Sequence, residues 1–264
     1  MEQKVIYKIP IQSNSMKNLN LLFLGLIAGF FSAALGIGGG VILVPALMLL
    51  FHYRIKKAIG TSLATIAPTA FVGIITHYII KSGNIKFLMV LFIIIGSITG
   101  AKFGAKLANK LDGKLLTKLF ALLLLFVGLK LTGIIRIPTE TISNVTVYPL
   151  LIILGLIAGS GSALFGIGGG VILVPALNLF FGLTIHEAIA TSLTVILPTT
   201  LAGSIFHKKF DNIDILGVKF LIPLALIGAI FGAITANALP SAVLKIIFGV
   251  FMILCSLRIF FKKD

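Results

Sequence analysis

The sequence predicts an all-α polytopic membrane protein made of two inverted repeats, and three observations carry that prediction. The first is composition. Of 264 residues, 58% are hydrophobic and 11% charged, whereas soluble domains average about 25% charged residues. Several apolar runs are long enough to cross about 30 Å of hydrocarbon as helices. The second is a literal duplication. The run from Gly36 to Leu47 returns unchanged as Gly166 to Leu177, and roughly 33 of the 53 positions from Gly25 to His77 are identical in the second copy. The third is the placement of basic residues. The net charge of +15 gathers between apolar segments, as the positive-inside rule expects of cytoplasmic loops, and does not suggest a nucleic-acid partner.

The elements follow in order. Residues 1–18 are polar, with Lys4, Lys8 and Lys17, and form a cytoplasmic tail. They are not a cleavable signal, because the apolar stretch beginning at Leu19 runs on into the first repeat. Repeat 1 covers 19–135, with apolar blocks at 19–51, 58–80, 87–110 and 115–135. An external linker, 136–148, leads to repeat 2 at 149–261, with blocks at 149–181, 186–206, 216–237 and 241–261. Residues 262–264 end the chain in the cytoplasm. The first block of each repeat, about 33 residues, is too long for one crossing and is interrupted by glycines. It is either one long broken helix or two short helices that turn at the glycines.

Lysine bookkeeping decides for the hairpin. Lys102, Lys106, Lys110, Lys114 and Lys118 place the loop at Asp112 inside. Counting back, the Lys81–Lys86 loop is outside, and the loop with Arg54, Lys56 and Lys57 is inside. The N-terminal lysines are inside only if block 19–51 enters and returns. Counting forward with a second hairpin, the Glu187 and Pro240 loops are outside, and the Lys208 loop and the C-terminus are inside. Roughly 17 basic residues then face in and about 5 face out. Each repeat is a glycine-tipped broken-helix hairpin plus three transmembrane helices, and the repeats are inverted, an architecture common in secondary transporters. The hairpin arms, residues 20–35 and 41–51, would span only about 24 Å and about 16 Å, so the two tips can approach each other from opposite faces.

The glycine tips Gly38, Gly39, Gly40 and Gly168, Gly169, Gly170 lead into helices at Val41 and Val171. Free N–H groups and the positive end of a helix dipole make such a start an anion site. The plainer reading is a tight turn and close packing; the frequency of broken helices at transporter sites favours function. A second motif carries Thr61, Ser62, Thr65, Pro68 and Thr69, answered by Thr191, Ser192, Thr194, Pro198 and Thr199. The prolines kink their helices. The hydroxyls either donate to an oxyanion or join helix to helix, as Ser and Thr do in membranes, and the sequence leaves both open. Gly96, Gly100 and Gly104, with Gly228, Gly232 and Ala236, read as packing faces. His77 and His207 occupy matching positions near segment ends. They read as interfacial residues before coupling groups. Lys102, two turns inside its segment, either snorkels to the cytoplasmic surface, the favoured reading, or attracts anions towards the cavity. All seven acids fall in tails or loops, which favours an anionic cargo over a cationic one. The lone Cys255 excludes an intrachain disulfide and a Cys-cluster metal site, and no cofactor or metal is expected.

With these two doubled motifs, and over about residues 19–261, the chain resembles the TauE/SafE-type sulfite exporters, also called the 4-toluene sulfonate uptake permeases. The resemblance implies transport of small sulfur-containing anions such as sulfite, sulfonates and sulfoacetate through a prokaryotic cytoplasmic membrane. The expected partners are that anion and the lipid bilayer, with room for a homo-oligomer. An anion channel, or a carrier of another small organic anion, is the alternative. A membrane-embedded enzyme lacks any catalytic set: there is no His-Glu-x-x-His and no buried carboxylate pair. A scaffold gives no reason for glycine breaks at membrane depth.

Overall fold

The structure, a computed structural model, describes residues 14–80, 85–134, 147–238 and 240–261. Most of the tail, the centre of the linker and the C-terminal three residues lie outside these. Among the described residues the chain is all helical. Repeat 1 supplies α1 (Asn14–Leu35), α2 (Gly40–Leu49), α3 (Ile55–Ile79), α4 (Phe87–Lys110) and α5 (Gly113–Leu131). Repeat 2 supplies α6 (Val147–Phe165), α7 (Gly170–Leu179), α8 (Ile185–Lys208), α9 (Ile215–Ala238) and α10 (Ser241–Phe260). Six of these, α1, α3, α4, α6, α8 and α9, are long and apolar enough to cross a membrane. Exposed large side chains such as Phe71, Leu91, Phe103, Leu122 and Phe231 give the bundle an apolar outside, the surface a bilayer solvates.

Each first block divides at its glycines into two helices, as the hairpin reading expects. The arms differ from expectation in length. α1 has 22 residues and α6 has 19, about 33 Å and about 28 Å. The first arm gains a polar turn at Asn14–Asn20, where no proline stops the helix. α2 and α7 have 10 residues each, about 15 Å, too short to cross.

Packing is reciprocal between the copies. Gly25 and Gly29 of α1 press on the α9 backbone at Leu221 and Ala225, and Gly228 and Gly232 of α9 press back on Leu26 and Phe30. Their counterparts do the same: Gly155 and Gly159 of α6 meet Ile93 and Ser97 of α4, and Gly96, Gly100 and Gly104 meet Ile152, Leu156 and Ser160. A methyl group on any of them would overlap a carbonyl oxygen of the facing helix. The small-xxx-small spacing is therefore a packing face, where backbones approach because no Cβ intervenes. α5 and α10 pair at the periphery, tied by a hydrogen bond from Ser256 Oγ to the Ala121 carbonyl (2.7 Å).

α3 and α8 run through the centre. At one end, the Tyr53 hydroxyl donates to the Asp214 carboxylate, and Lys56 Nζ donates to the Asn109 carbonyl at 2.7 Å. At the other, Lys86 pairs with Glu187 at 3.2 Å. Tyr53 precedes α3 while Asp214 follows α8; Lys86 follows α3 while Glu187 lies in the first turn of α8. These two central helices, equivalent in the duplication, therefore run antiparallel.

Candidate functional site

The site grows from a local necessity of the backbone. Gly36, Gly38 and Gly39 have φ of 65°, 88° and 65°, and Gly166, Gly168 and Gly169 have 73°, 82° and 87°. This left-handed region is open to glycine and strained for residues with a Cβ. Gly39 and Gly169 are the N-caps of α2 and α7, and neither helix start carries a side-chain cap.

The two tips meet. A methyl on Gly38 would lie 3.2 Å from the Gly168 Cα, and one on Gly168 would lie 3.2 Å from the Gly38 Cα. Gly40 abuts the Gly166 carbonyl, and Gly170 abuts the Gly36 carbonyl. A contact in which residue i meets j and the equivalents of i and j meet in return is that of a two-fold axis. The contact lies at mid-depth. Its walls are Ile66 and Ile196, whose Cγ2 atoms stand 3.5 Å from a Gly168 methyl, near the midpoints of α3 and α8. Val41 and Val171 are buried just behind the tips.

Each tip is held by the opposite repeat. Ser62 Oγ donates to the Gly166 carbonyl and Ser192 Oγ to the Gly36 carbonyl, both at 2.8 Å. Within its own repeat, His77 Nε2 donates to the Ala33 carbonyl (2.9 Å) and His207 Nε2 to Ala163 (2.8 Å). Those carbonyls belong to the last turns of α1 and α6, where the helix leaves acceptors without backbone partners. Both histidines are buried. Each stands in the last turn of its own helix, α3 or α8, as the sequence places it, and there caps the C-terminus of α1 or α6 in place of facing the surface.

Most of the singled-out hydroxyls are committed to main-chain acceptors. Thr65 donates to the Thr61 carbonyl (2.9 Å), Thr69 to Ile66 (2.8 Å), Thr194 to Ala190 (2.8 Å) and Thr199 to Val195 (2.7 Å). Thr199 also lies 2.7 Å from Ser97 Oγ. Thr61 Oγ1 accepts from the Asp214 N–H at 2.9 Å. Pro68 and Pro198 sit inside α3 and α8, which continue as helices through them. Among the described residues three buried hydroxyls have no hydrogen-bond partner: Thr191, Ser32 and Ser162. Sequence reading passed over the two serines. The available signal was their identity in both copies, at equivalent places just before the tips. Among the described residues no Lys, Arg, Asp or Glu is buried, and no cluster could hold a metal ion.

A duplicated bundle of apolar helices, with paired broken-helix tips at mid-depth and no buried Lys, Arg, Asp or Glu among the described residues, defines the class: a multi-pass membrane transporter. The chain belongs to the family described as Sulfite exporter TauE/SafE, which it matches over residues 5–131 and 151–264. It is 32% identical to the probable membrane transporter protein YdhB of Bacillus subtilis, over 86% of this chain and 92% of that one. It is 27% identical to a second from the same organism, YunE, over 92% and 97%. A probable membrane transporter of Methanocaldococcus jannaschii is 32% identical over 80% of each chain. No solved structure matches the chain.

Proposed function

We propose that this protein is a secondary transporter moving small sulfur-containing anions, of the sulfite, sulfonate and sulfoacetate class, across the cytoplasmic membrane of a prokaryote. The anion binds at the midplane between two repeats inverted with respect to the bilayer, and both termini are cytoplasmic. The observation that carries the reading is the meeting of two equivalent glycine tips beside the midpoints of α3 and α8, each opening into a helix start. A helix start offers unpaired N–H donors and positive potential without a fixed cation. The inversion is supported by the antiparallel course of α3 and α8. It is also supported by the loops that touch. Tyr53 with Asp214, Lys56 with Asn109, and Lys86 with Glu187 each join segments that the lysine count assigns to one side. The family description supports the sulfur anion.

With no buried carboxylate among the described residues to relay protons, the anion carries its own charge across. A cell interior negative by about 100 mV drives each net negative charge outward with about 2.3 kcal/mol. That sustains an outward gradient near fifty-fold for a monoanion, so export requires no coupling ion. The test is flux of sulfite, methanesulfonate and sulfoacetate in proteoliposomes under a potassium–valinomycin potential, at fixed pH and without sodium. Transport should accelerate towards the positive side. Flux that ignores the potential and follows a proton or sodium gradient would overturn the uncoupled mechanism.

A further inference from the structure

Two equivalent seams run along the outside of the bundle, and only one of them is basic. α4 and α8 meet where Ala101 and Ala105 pack with Ala202 and Phe206. The duplication answers this with the seam between α9 and α3, where Ala229 and Ala233 pack with Val72. Beside the first seam, Lys102 and Lys106 are exposed on α4, and Lys208 and Lys209 are exposed at the end of α8. Lys209 Nζ lies 5.6 Å from the centre of the Phe206 ring, so the α8 lysines and the α4 lysines flank one cluster. The counterparts of the four are Ile234, Ala238, Tyr78 and Ile79. They are exposed as well, and none is charged. The same packing forms without lysines, so the fold does not require them.

We propose that the basic end of the α4–α8 seam binds an anionic phospholipid of the cytoplasmic leaflet. Lys102, Lys106, Lys208 and Lys209 hold its phosphate, and its acyl chains lie on Ile98, Leu201 and Ile205. The choice of leaflet rests on the topology proposed above; the site itself is independent of the cargo.

Depth separates these lysines from a solvated loop. The outer face of α4 reads Leu88, Leu91, Ile95, Ile98, Lys102, Lys106, all exposed and spaced by three or four residues. Lys102 lies about 22 Å along α4 from Phe87 and about 12 Å short of Lys110. A helix crossing about 30 Å of hydrocarbon reaches Lys102 before the crossing is complete. Charges that only orient insertion serve from the loop beyond the helix end. A lysine at this depth is costly unless its ammonium reaches the headgroup layer and meets a counter-charge there.

The protein does not supply that counter-charge. Among the described residues none of the four lysines forms an ion pair. Of the acids nearest in sequence, Asp112 caps α5 by accepting from the Lys114 N–H (3.0 Å), and Asp211 stands exposed in the turn after α8. A lipid phosphate fits the vacancy in charge. Basic clusters between transmembrane helices on the cytoplasmic side recruit anionic headgroups for this reason. The aliphatic stretch behind the lysines selects a lipid over a soluble anion. Ile98, Leu201 and Ile205 are exposed beside the seam, and tails lying on them stay in hydrocarbon while the phosphate stays at the lysines. A second copy of this chain, docked face to face, would bring lysine to lysine.

The experiment is native mass spectrometry of the purified full chain in detergent, titrated with phosphatidylglycerol and separately with phosphatidylcholine. Wild type should retain phosphatidylglycerol at a concentration about tenfold lower than phosphatidylcholine. Lys102→Gln, Lys106→Gln, Lys208→Gln and Lys209→Gln combined should lose that preference, and the four Lys→Arg changes combined should keep it. Lys118→Gln with Lys219→Gln removes two exposed lysines of α5 and α9, outside the seam, and should keep it as well. Circular dichroism checks that each variant is helical; if the fourfold glutamine variant does not fold, Lys102→Gln with Lys106→Gln should still weaken the preference. The proposal is overturned if the folded glutamine variants bind phosphatidylglycerol as wild type does, or if wild type binds both lipids equally. It is overturned too if the α5 and α9 pair abolishes the preference equally, or if inorganic phosphate at constant ionic strength displaces the lipid, which would make the seam a site for a soluble anion. Sidedness plays no part in detergent. Failure of lipid binding therefore removes the seam alone, while maleimide labelling that contradicts the topology would move the seam to the outer leaflet and leave the binding intact.

Discussion

Gly40→Ala and Gly170→Ala test whether the two tips touch, with Gly113→Ala as the internal control. All three glycines stand first in a helix, where propensity alone favours alanine by up to about 1 kcal/mol. Tertiary contact reverses the sign for two of them. A methyl on Gly40 would overlap the Gly166 carbonyl oxygen and lie 2.7 Å from the Ile167 Cα. A methyl on Gly170 would overlap the Gly36 carbonyl oxygen and lie 2.6 Å from the Ile37 Cα, where ordinary contact begins at 3.4 Å. These are backbone atoms, and their carbonyls are held by Ser62 and Ser192. No rotamer change relieves the overlap, so the tips must separate. Over-packing a rigid interior costs about 1–3 kcal/mol, and obstruction by backbone puts both variants near the upper end. A methyl on Gly113 meets only the Ile55 Cγ2, at 3.8 Å, so that variant should be neutral or gain up to about 1 kcal/mol. The chain has no Trp, and far-ultraviolet circular dichroism in detergent is the suitable melt. At about 2–4 °C per kcal/mol for a chain of this size, the tip variants should melt roughly 5–10 °C lower, and the control within a few degrees of wild type. Tip variants that melt with the control would mean that the glycines do not meet, and the symmetric site would go with them.

Three further outcomes follow from the same contacts. Ser62→Ala and Ser192→Ala each leave a buried tip carbonyl without its donor, at about 1–3 kcal/mol; because the contacts are equivalent, the two losses should agree within about 0.5 kcal/mol, and a marked inequality would contradict the two-fold arrangement. Tyr53→Phe tests the clasp at the α3 start. Burial pushes the Asp214 carboxyl up, but the Tyr53 hydrogen bond, the Gly217 and Leu216 N–H groups and the Lys57 charge outweigh it and hold its pKa below the ordinary value. A depressed carboxyl stabilises the fold above its unfolded pKa and loses that contribution as pH falls through the folded one. Wild type should therefore lose stability in acid below the ordinary aspartate range, and Tyr53→Phe should lose less over the same interval; identical acid profiles would remove the clasp. Single cysteines near Asp112, Lys208, Glu187 and Pro240, in a Cys255→Ser background, test the topology with an impermeant maleimide. The first two should label from the cytoplasmic side and the last two from outside, and labelling of Asp112 and Glu187 from one side would refute the inversion.

The sequence by itself determined the helical class, the duplication and the break in each first block. These properties are written locally. Hydropathy over about 20 residues decides whether a helix can cross, and consecutive glycines interrupt a helix wherever they occur. The packing role of Gly96, Gly100 and Gly104 was legible too, since a four-residue spacing puts them on one helical face. Only the tertiary structure decided which polar groups are free. Ser62 and Ser32 look alike along the chain: each is a serine among small and apolar neighbours, repeated in the second copy. Ser62 is spent on a carbonyl 104 residues away, and Ser192 on one 156 residues away, whereas Ser32 and Ser162 have no acceptor. His77 and His207 were rightly placed by sequence at segment ends, but their partners, the last-turn carbonyls of α1 and α6, come only from the fold. A hydrogen bond is decided within about 3 Å. Residue order records what a segment can offer, and only the folded chain brings an acceptor within that reach or leaves the donor without one.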